Sequence, residues 1–230
     1  MPSLFFASKN TYIWLVEDFI QKLIAEGEHQ QLDFKFGITD SRKIARSLAA
    51  FANTDGGRLL IGVKDNGAIA GVRSEEEFYM VQAASELYTK PEVKFTVKEW
   101  KVEGRTVLEI TVPKSTEMPH SAPDKDGQWK VYIRVQDHNY LANSIWLKVL
   151  RQRNTDVGTI VEYTETEKFL LTYLSANEKI TLSKFSRLAK INRKKAETLF
   201  VNFISLGIIR MEFTENGVFY YLVKSYRNQC

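Results

Sequence analysis

Six cationic side chains, Lys184, Arg187, Lys190, Arg193, Lys194 and Lys195, fall within residues 184–195 with no acidic residue among them. Ammonium and guanidinium groups at this density attract phosphate, because they release counterions condensed on a nucleic-acid backbone. Guanidinium and amide groups, here Arg193 and its neighbour Asn192, can also pair bidentately with base edges. The charge distribution points the same way. Residues 151–230 hold 13 Lys/Arg against 8 Asp/Glu, whereas the rest of the chain holds 19 against 20. The net charge of +4 therefore belongs to the C-terminal third, where a nucleic acid or other acidic partner is expected first. The plainer alternative is a solvated basic turn on a domain that contacts only proteins.

Composition narrows the remaining classes. Hydrophobic residues at 44% and charged residues at 26% of 230 describe a soluble globular protein of one or two domains. Cys230 is the only cysteine, which excludes an intrachain disulfide and fits a reducing compartment. No apolar run approaches the roughly 20 residues that span a bilayer. Met1-Pro-Ser-Leu-Phe-Phe lacks the basic start of a signal peptide. The expectation is a cytoplasmic protein with no membrane contact. His29, His120 and His138 show no metal-ligand spacing, and Gly56-Gly57 lacks the Gly-Lys-Ser/Thr of a phosphate-binding loop.

The elements that would position these groups follow from periodicity. Residues 12–26 carry apolar side chains at helical spacing, and Leu32, Phe34 and Phe36 alternate with Asp33 and Lys35 as in a half-buried strand. Asp40 or Ser41 caps a helix running to Ala52, and Asn53-Thr-Asp-Gly-Gly57 ends it. A strand over 58–63, a turn at Asp65-Asn-Gly67, a helix over 75–88 and a hairpin over 93–112 follow. Residues 113–128 are polar and contain three prolines, which predicts a long exposed loop before a strand at 129–135 and a helix at 145–150. Residues 151–159 read as a linker. Beyond it come helices at 165–175, 183–190 and 193–206, and a hairpin turning at Glu215-Asn-Gly217.

Two resemblances organise this pattern. The segments Glu28-His-Gln-Gln-Leu32-Asp33-Phe34-Lys35, Ser47 to Gly67, Ile69-Ala-Gly71-Val72 and Tyr132-Ile-Arg134-Val135 together resemble the Schlafen/AlbA-type domain over about 15–150. Residues 160–225 resemble a winged helix-turn-helix. The expected architecture is α+β: an AlbA/Schlafen-like mixed sheet with flanking helices in a domain over 1–152, then a winged helix over 160–226. The winged-helix resemblance makes Ser183–Lys190 the positioning helix and Asn192–Leu206 the recognition helix. Asn192 and Arg193 would then meet base edges, and Lys184, Arg187, Lys190, Lys194 and Lys195 phosphates.

The first resemblance also implies a site. Glu28, Asp33 and Asp65 match carboxylates that some Schlafen-type members use in metal-dependent RNA cleavage, with Mg²⁺ or Mn²⁺ as the fitting ion. Asp33 stands where the family more often has Glu. Asp65 follows its strand, so meeting Asp33 favours antiparallel strands; a βαβ crossover would hold the two apart. The leading expectation is a DNA-binding transcriptional regulator, a homodimer needing no cofactor for binding. A Schlafen-type endoribonuclease acting on RNA and a protein-interaction adaptor are the alternatives.

Overall fold

The computed structural model describes residues 19–153 and 163–223. The expected helix start at Tyr12, linker positions 154–159 and Cys230 lie outside the described residues. The chain divides into two units, Met1–Leu141 and Ala142–Cys230.

In the first unit, α1 (residues 19–26) precedes β1 (Leu32–Lys35), α2 (Ser41–Ala52), β2 (Gly57–Ile61) and α3 (Glu76–Tyr88). Then come β3 (Thr96–Val102), β4 (Arg105–Val112), β5 (Ser121–Pro123), β6 (Trp129–Val135) and β7 (His138–Leu141). The main sheet has the order β1-β2-β4-β3, and β5-β6-β7 form a second, smaller sheet. Strands β1 and β2 run parallel, with Asp33 beside Leu59; β2, β4 and β3 pair antiparallel.

Alternation along β1 sends Leu32 and Phe34 to one face, where they pack with Leu60, Trp100, Val107 and Ile20 of α1. The opposite face carries Leu59, Ile61, Leu108 and Ile110 into a core with α2 and α3. Helix α2 starts where Asp40 caps it, accepting from the Arg42 N–H at 2.9 Å. Its small residues Ala45, Ala49, Ala50 and Ala52 are all buried, which lets the main sheet and the β5–β6 layer approach it together.

Two expectations are corrected here. Phe36 does not continue the buried stripe of β1; the strand ends at Lys35 and Phe36 is 47% exposed. The segment 113–128 is not wholly an exposed loop, since His120 and Ala122 are buried and β5 pairs with β6. Asn53 explains the difference. Its amide donates to the carbonyls of His120 and Tyr132, each at 2.8 Å, and its Oδ1 accepts from the His120 N–H at 2.7 Å.

The second unit contains α4 (Ser144–Arg153), α5 (Glu165–Ala176), α6 (Leu182–Leu188), α7 (Arg193–Ser205), β8 (Ile209–Thr214) and β9 (Gly217–Leu222). Helix α4, assigned from sequence to the end of the first domain, contributes Ile145 and Val149 to a core with Leu170, Phe185, Phe200 and Tyr220. Phe200 and Tyr220 stack with ring centroids 4.3 Å apart, and burial pushes the Tyr220 hydroxyl up to about 12. An isolated bridge joins Ile180, between α5 and α6, to Tyr220 of the β8–β9 hairpin. Among the described residues no helix is long and apolar enough to cross a membrane.

Candidate functional site

Glu28 and Asp33 come together, although a straight strand would place them on opposite faces. Glu28 lies in the turn before β1, and its Oε1 accepts from the Phe34 N–H at 2.8 Å. Burial pushes the Glu28 carboxyl above its ordinary value of 4.5, and the hydrogen bond it shares with Asp33 pushes it the same way. Asp33 is not on a solvent face, being 3% exposed. Its Oδ2 pairs with Lys35 Nζ at 2.9 Å and its Oδ1 with Arg134 Nη2 at 3.2 Å.

Asp65 does not join them. It is exposed in the turn after β2, six positions beyond the residue that pairs with Asp33 in the parallel register. The βαβ alternative set out above is therefore the one found. A divalent ion needs carboxylate oxygens free to bind it, and both Asp33 oxygens already hold cationic side chains. Among the described residues no group of three or more His, Cys, Asp or Glu is placed to hold a metal. The arrangement does not fit a shared Mg²⁺ or Mn²⁺.

Arg134 of β6 is the residue that sequence reasoning passed over, and it organises this cluster. Its guanidinium is 2% exposed and donates from Nη2 to Asp33 and to the Leu32 carbonyl, each at 3.2 Å. Nη1 reaches Asn139 Oδ1 at 3.3 Å, the Phe51 ring lies 5.2 Å away, and Nε is buried with no hydrogen-bond partner. One signal was available. It was a weak one: alternation puts Arg134 on the face of Lys130 and Tyr132, opposite Val131, Ile133 and Val135, and only the fold buries the Tyr132–Arg134 face.

The Glu28–Asp33 contact carries a pH dependence with a defined sign. A carboxyl whose folded pKa is raised contributes stability fully below its unfolded value, and that contribution is lost as pH rises through the folded value. Relative to Glu28→Gln, whose amide stays neutral, the wild-type protein should lose stability as pH rises above the ordinary carboxyl value of 4.5. Urea unfolding of both proteins on either side of that value checks this; stability curves that run parallel would remove the shared-proton contact.

In the second unit, Lys184, Arg187, Lys190, Asn192, Arg193, Lys194 and Lys195 are all exposed around the α6–α7 turn. Thr181 caps α6, accepting from the Lys184 N–H at 3.2 Å, and Lys190 turns the chain with φ 52°. Asn192 and Arg193 are partly committed to the fold. Asn192 caps α7, its Oδ1 accepting from the Lys195 N–H at 2.8 Å, and Arg193 Nε donates to Glu197 Oε1 at 3.2 Å. Glu197 is buried and also takes Lys148 and Ser144 of α4. The Lys148 hydrogen bond, followed by that of Arg193, holds the Glu197 carboxyl below its ordinary range despite burial.

The first turn of α7 thus places three cations, and no acid, at the positive end of a helix. That placement opposes the helix dipole and is relieved by an anion.

Solved structures similar to this chain include the DIP2311 protein from Corynebacterium diphtheriae, at 20% identity and TM-score 0.43, over 68% of this chain and 36% of that one. Another is the N-terminal domain of a RecG-related protein from Nitrosomonas europaea, at 19% identity and TM-score 0.38, over 65% of this chain and 96% of that one. The chain thus spans about a third of the DIP2311 protein. A search of curated proteins finds no match. The Schlafen, AlbA_2 family profile matches residues 28–143, half of the chain and the segment that holds Glu28, Asp33 and Arg134, and the chain belongs to that family.

Proposed function

We propose that this protein binds duplex nucleic acid through the α6–α7 face of its second unit and acts as a DNA-binding transcriptional regulator. The observation that carries this reading is the set of exposed cations at the positive end of α7, of which Arg193 alone is paired, with Glu197, among the described residues. The order helix, bridge, helix, helix, hairpin supports a winged helix-turn-helix with α7 as its recognition helix. Membership of the Schlafen, AlbA_2 family supports a nucleic-acid-related role for the first unit. A homodimer would present two basic faces to paired half-sites, with the first unit supplying dimer surface or further phosphate contacts.

Metal-dependent RNA cleavage is supported less well. It needs Asp65 beside Asp33, and it needs Asp33 free of Arg134 and Lys35. Incubation of the full chain with labelled DNA duplex and with single-stranded RNA, each with Mg²⁺ or Mn²⁺, separates the two readings. The expected result is retention of duplex with both substrates left intact. Cation-dependent RNA cleavage that disappears in Asp33→Asn would replace binding by catalysis.

A further inference from the structure

We infer that sequence is read by Thr198 and Asn202 on the outer stripe of α7, rather than by Asn192 and Arg193 at its start. The inference rests on the duplex-binding reading above and assigns one occupant to this stripe, the edges of bases in the major groove.

Hydrogen-bond accounting separates the candidates. An asparagine reads adenine by accepting from N6 with its oxygen while donating to N7 with its amide. Asn192 is poorly placed to do both, because its oxygen caps α7 by accepting from the Lys195 N–H, which holds the amide turned toward the helix end. Freeing it would uncap α7, at the first turn where three cations already oppose the helix. Arg193 retains its terminal N–H groups, but its Nε is tied to a buried carboxylate that Lys148 and Ser144 of α4 also hold. Asn202, by contrast, is half-buried, and neither end of its amide has a partner among the described residues.

Packing leaves α7 a single outward stripe. Ala196, Phe200 and Phe203 are buried in the core, and α4 engages the flank of Glu197 and Ser205. Lys195, Thr198 and Asn202 are spaced by three and four residues and share the remaining face. Together with Lys194 and the capping Asn192 they line a surface groove of about 390 Å³ whose other wall includes Glu167 of α5.

Two details favour bases over phosphates at Thr198 and Asn202, while Lys194 and Lys195 at the start of α7 remain the phosphate contacts. Glu167 carries negative charge there, fixed by the N–H of Thr164 at 3.1 Å; it repels phosphate but can accept from an exocyclic amine. Thr198 donates its hydroxyl proton to the Lys194 carbonyl at 3.1 Å, which leaves its methyl group for apolar contact with thymine. Asn202 lies about 15 Å along the helix from Asn192, so α7 must lie lengthwise in the groove rather than enter it by its tip.

Selection from a random-sequence duplex library, followed by sequencing of the bound fraction, tests the assignment with the full chain and its Thr198→Ala and Asn202→Ala variants. Wild type should enrich a defined sequence. Asn202→Ala should enrich the same sequence with the preference at one base pair relaxed by roughly 5- to 150-fold. Thr198→Ala should relax a different, nearby position. Both variants alter exposed or half-buried positions, and circular dichroism confirms that α7 remains folded.

An unchanged preference in both variants would overturn the inference. Duplex retention by wild type without any enriched sequence would also overturn it while leaving duplex binding in place. If wild type retains no duplex, the binding reading itself fails and the inference falls with it.

Discussion

Replacing Arg134 with alanine should destabilise the first unit by about 3–5 kcal/mol, the usual consequence of removing one partner of a buried ion pair. The loss comes from what stays behind. Asp33 would remain buried beside Glu28 with only the half-exposed Lys35 to offset it. The carbonyl of Leu32 would also lose its side-chain donor. For a unit of this size the transition midpoint should fall by roughly 10 °C.

The pair is not optimal in itself, since Arg134 Nε has no partner. An apolar replacement of both residues, Arg134→Met with Asp33→Leu, should therefore retain more stability than Arg134→Ala alone. Calorimetry of the three proteins checks the order. A loss below about 1 kcal/mol for Arg134→Ala would mean that water reaches the site and solvates Asp33.

The second large effect concerns binding and should leave stability untouched. Lys194→Ala combined with Lys195→Ala removes two exposed cations. If each meets a phosphate, the log–log salt slope should flatten by about two units, and duplex affinity near 0.1 M salt should fall roughly tenfold or more. Thermal stability should hold or rise slightly, because the two charges oppose the positive end of α7. Anisotropy titrations at several salt concentrations give both quantities. A slope unchanged by the double substitution would place the phosphate contacts elsewhere.

Most of the elements were legible because they rest on local rules. Asp40 before Ser41, alternation in β1 and the Asn-Gly turn of the last hairpin each specify structure within a few residues. What the chain did not disclose locally was tertiary. The parallel pairing of β1 with β2, which separates Asp65 from Asp33, follows from how α2 crosses between strands rather than from any motif. The partner of Asp33 lies a hundred positions away at Arg134, and the polar look of residues 113–128 concealed a strand secured by Asn53.

The basic face was legible as a cluster, and its internal division of labour was not. Asn192 looks from its chemistry like a base reader, yet the first turn of α7 uses its oxygen as a cap. Glu197 sits on the same helical face as Phe200, Val201 and Ile204, and its burial draws Arg193 and Lys148 onto it. Both outcomes depend on helix ends and on the docking of α4, which spacing alone does not reveal.

The most direct test of the central claim is the affinity of the full chain for a labelled random-sequence DNA duplex in EDTA, measured from about 50 to 200 mM salt. The account predicts binding without added metal, with log K falling linearly against log salt at a slope of several units, one for each phosphate contacted. Absence of duplex binding at the lowest salt, or an affinity indifferent to salt, would contradict it.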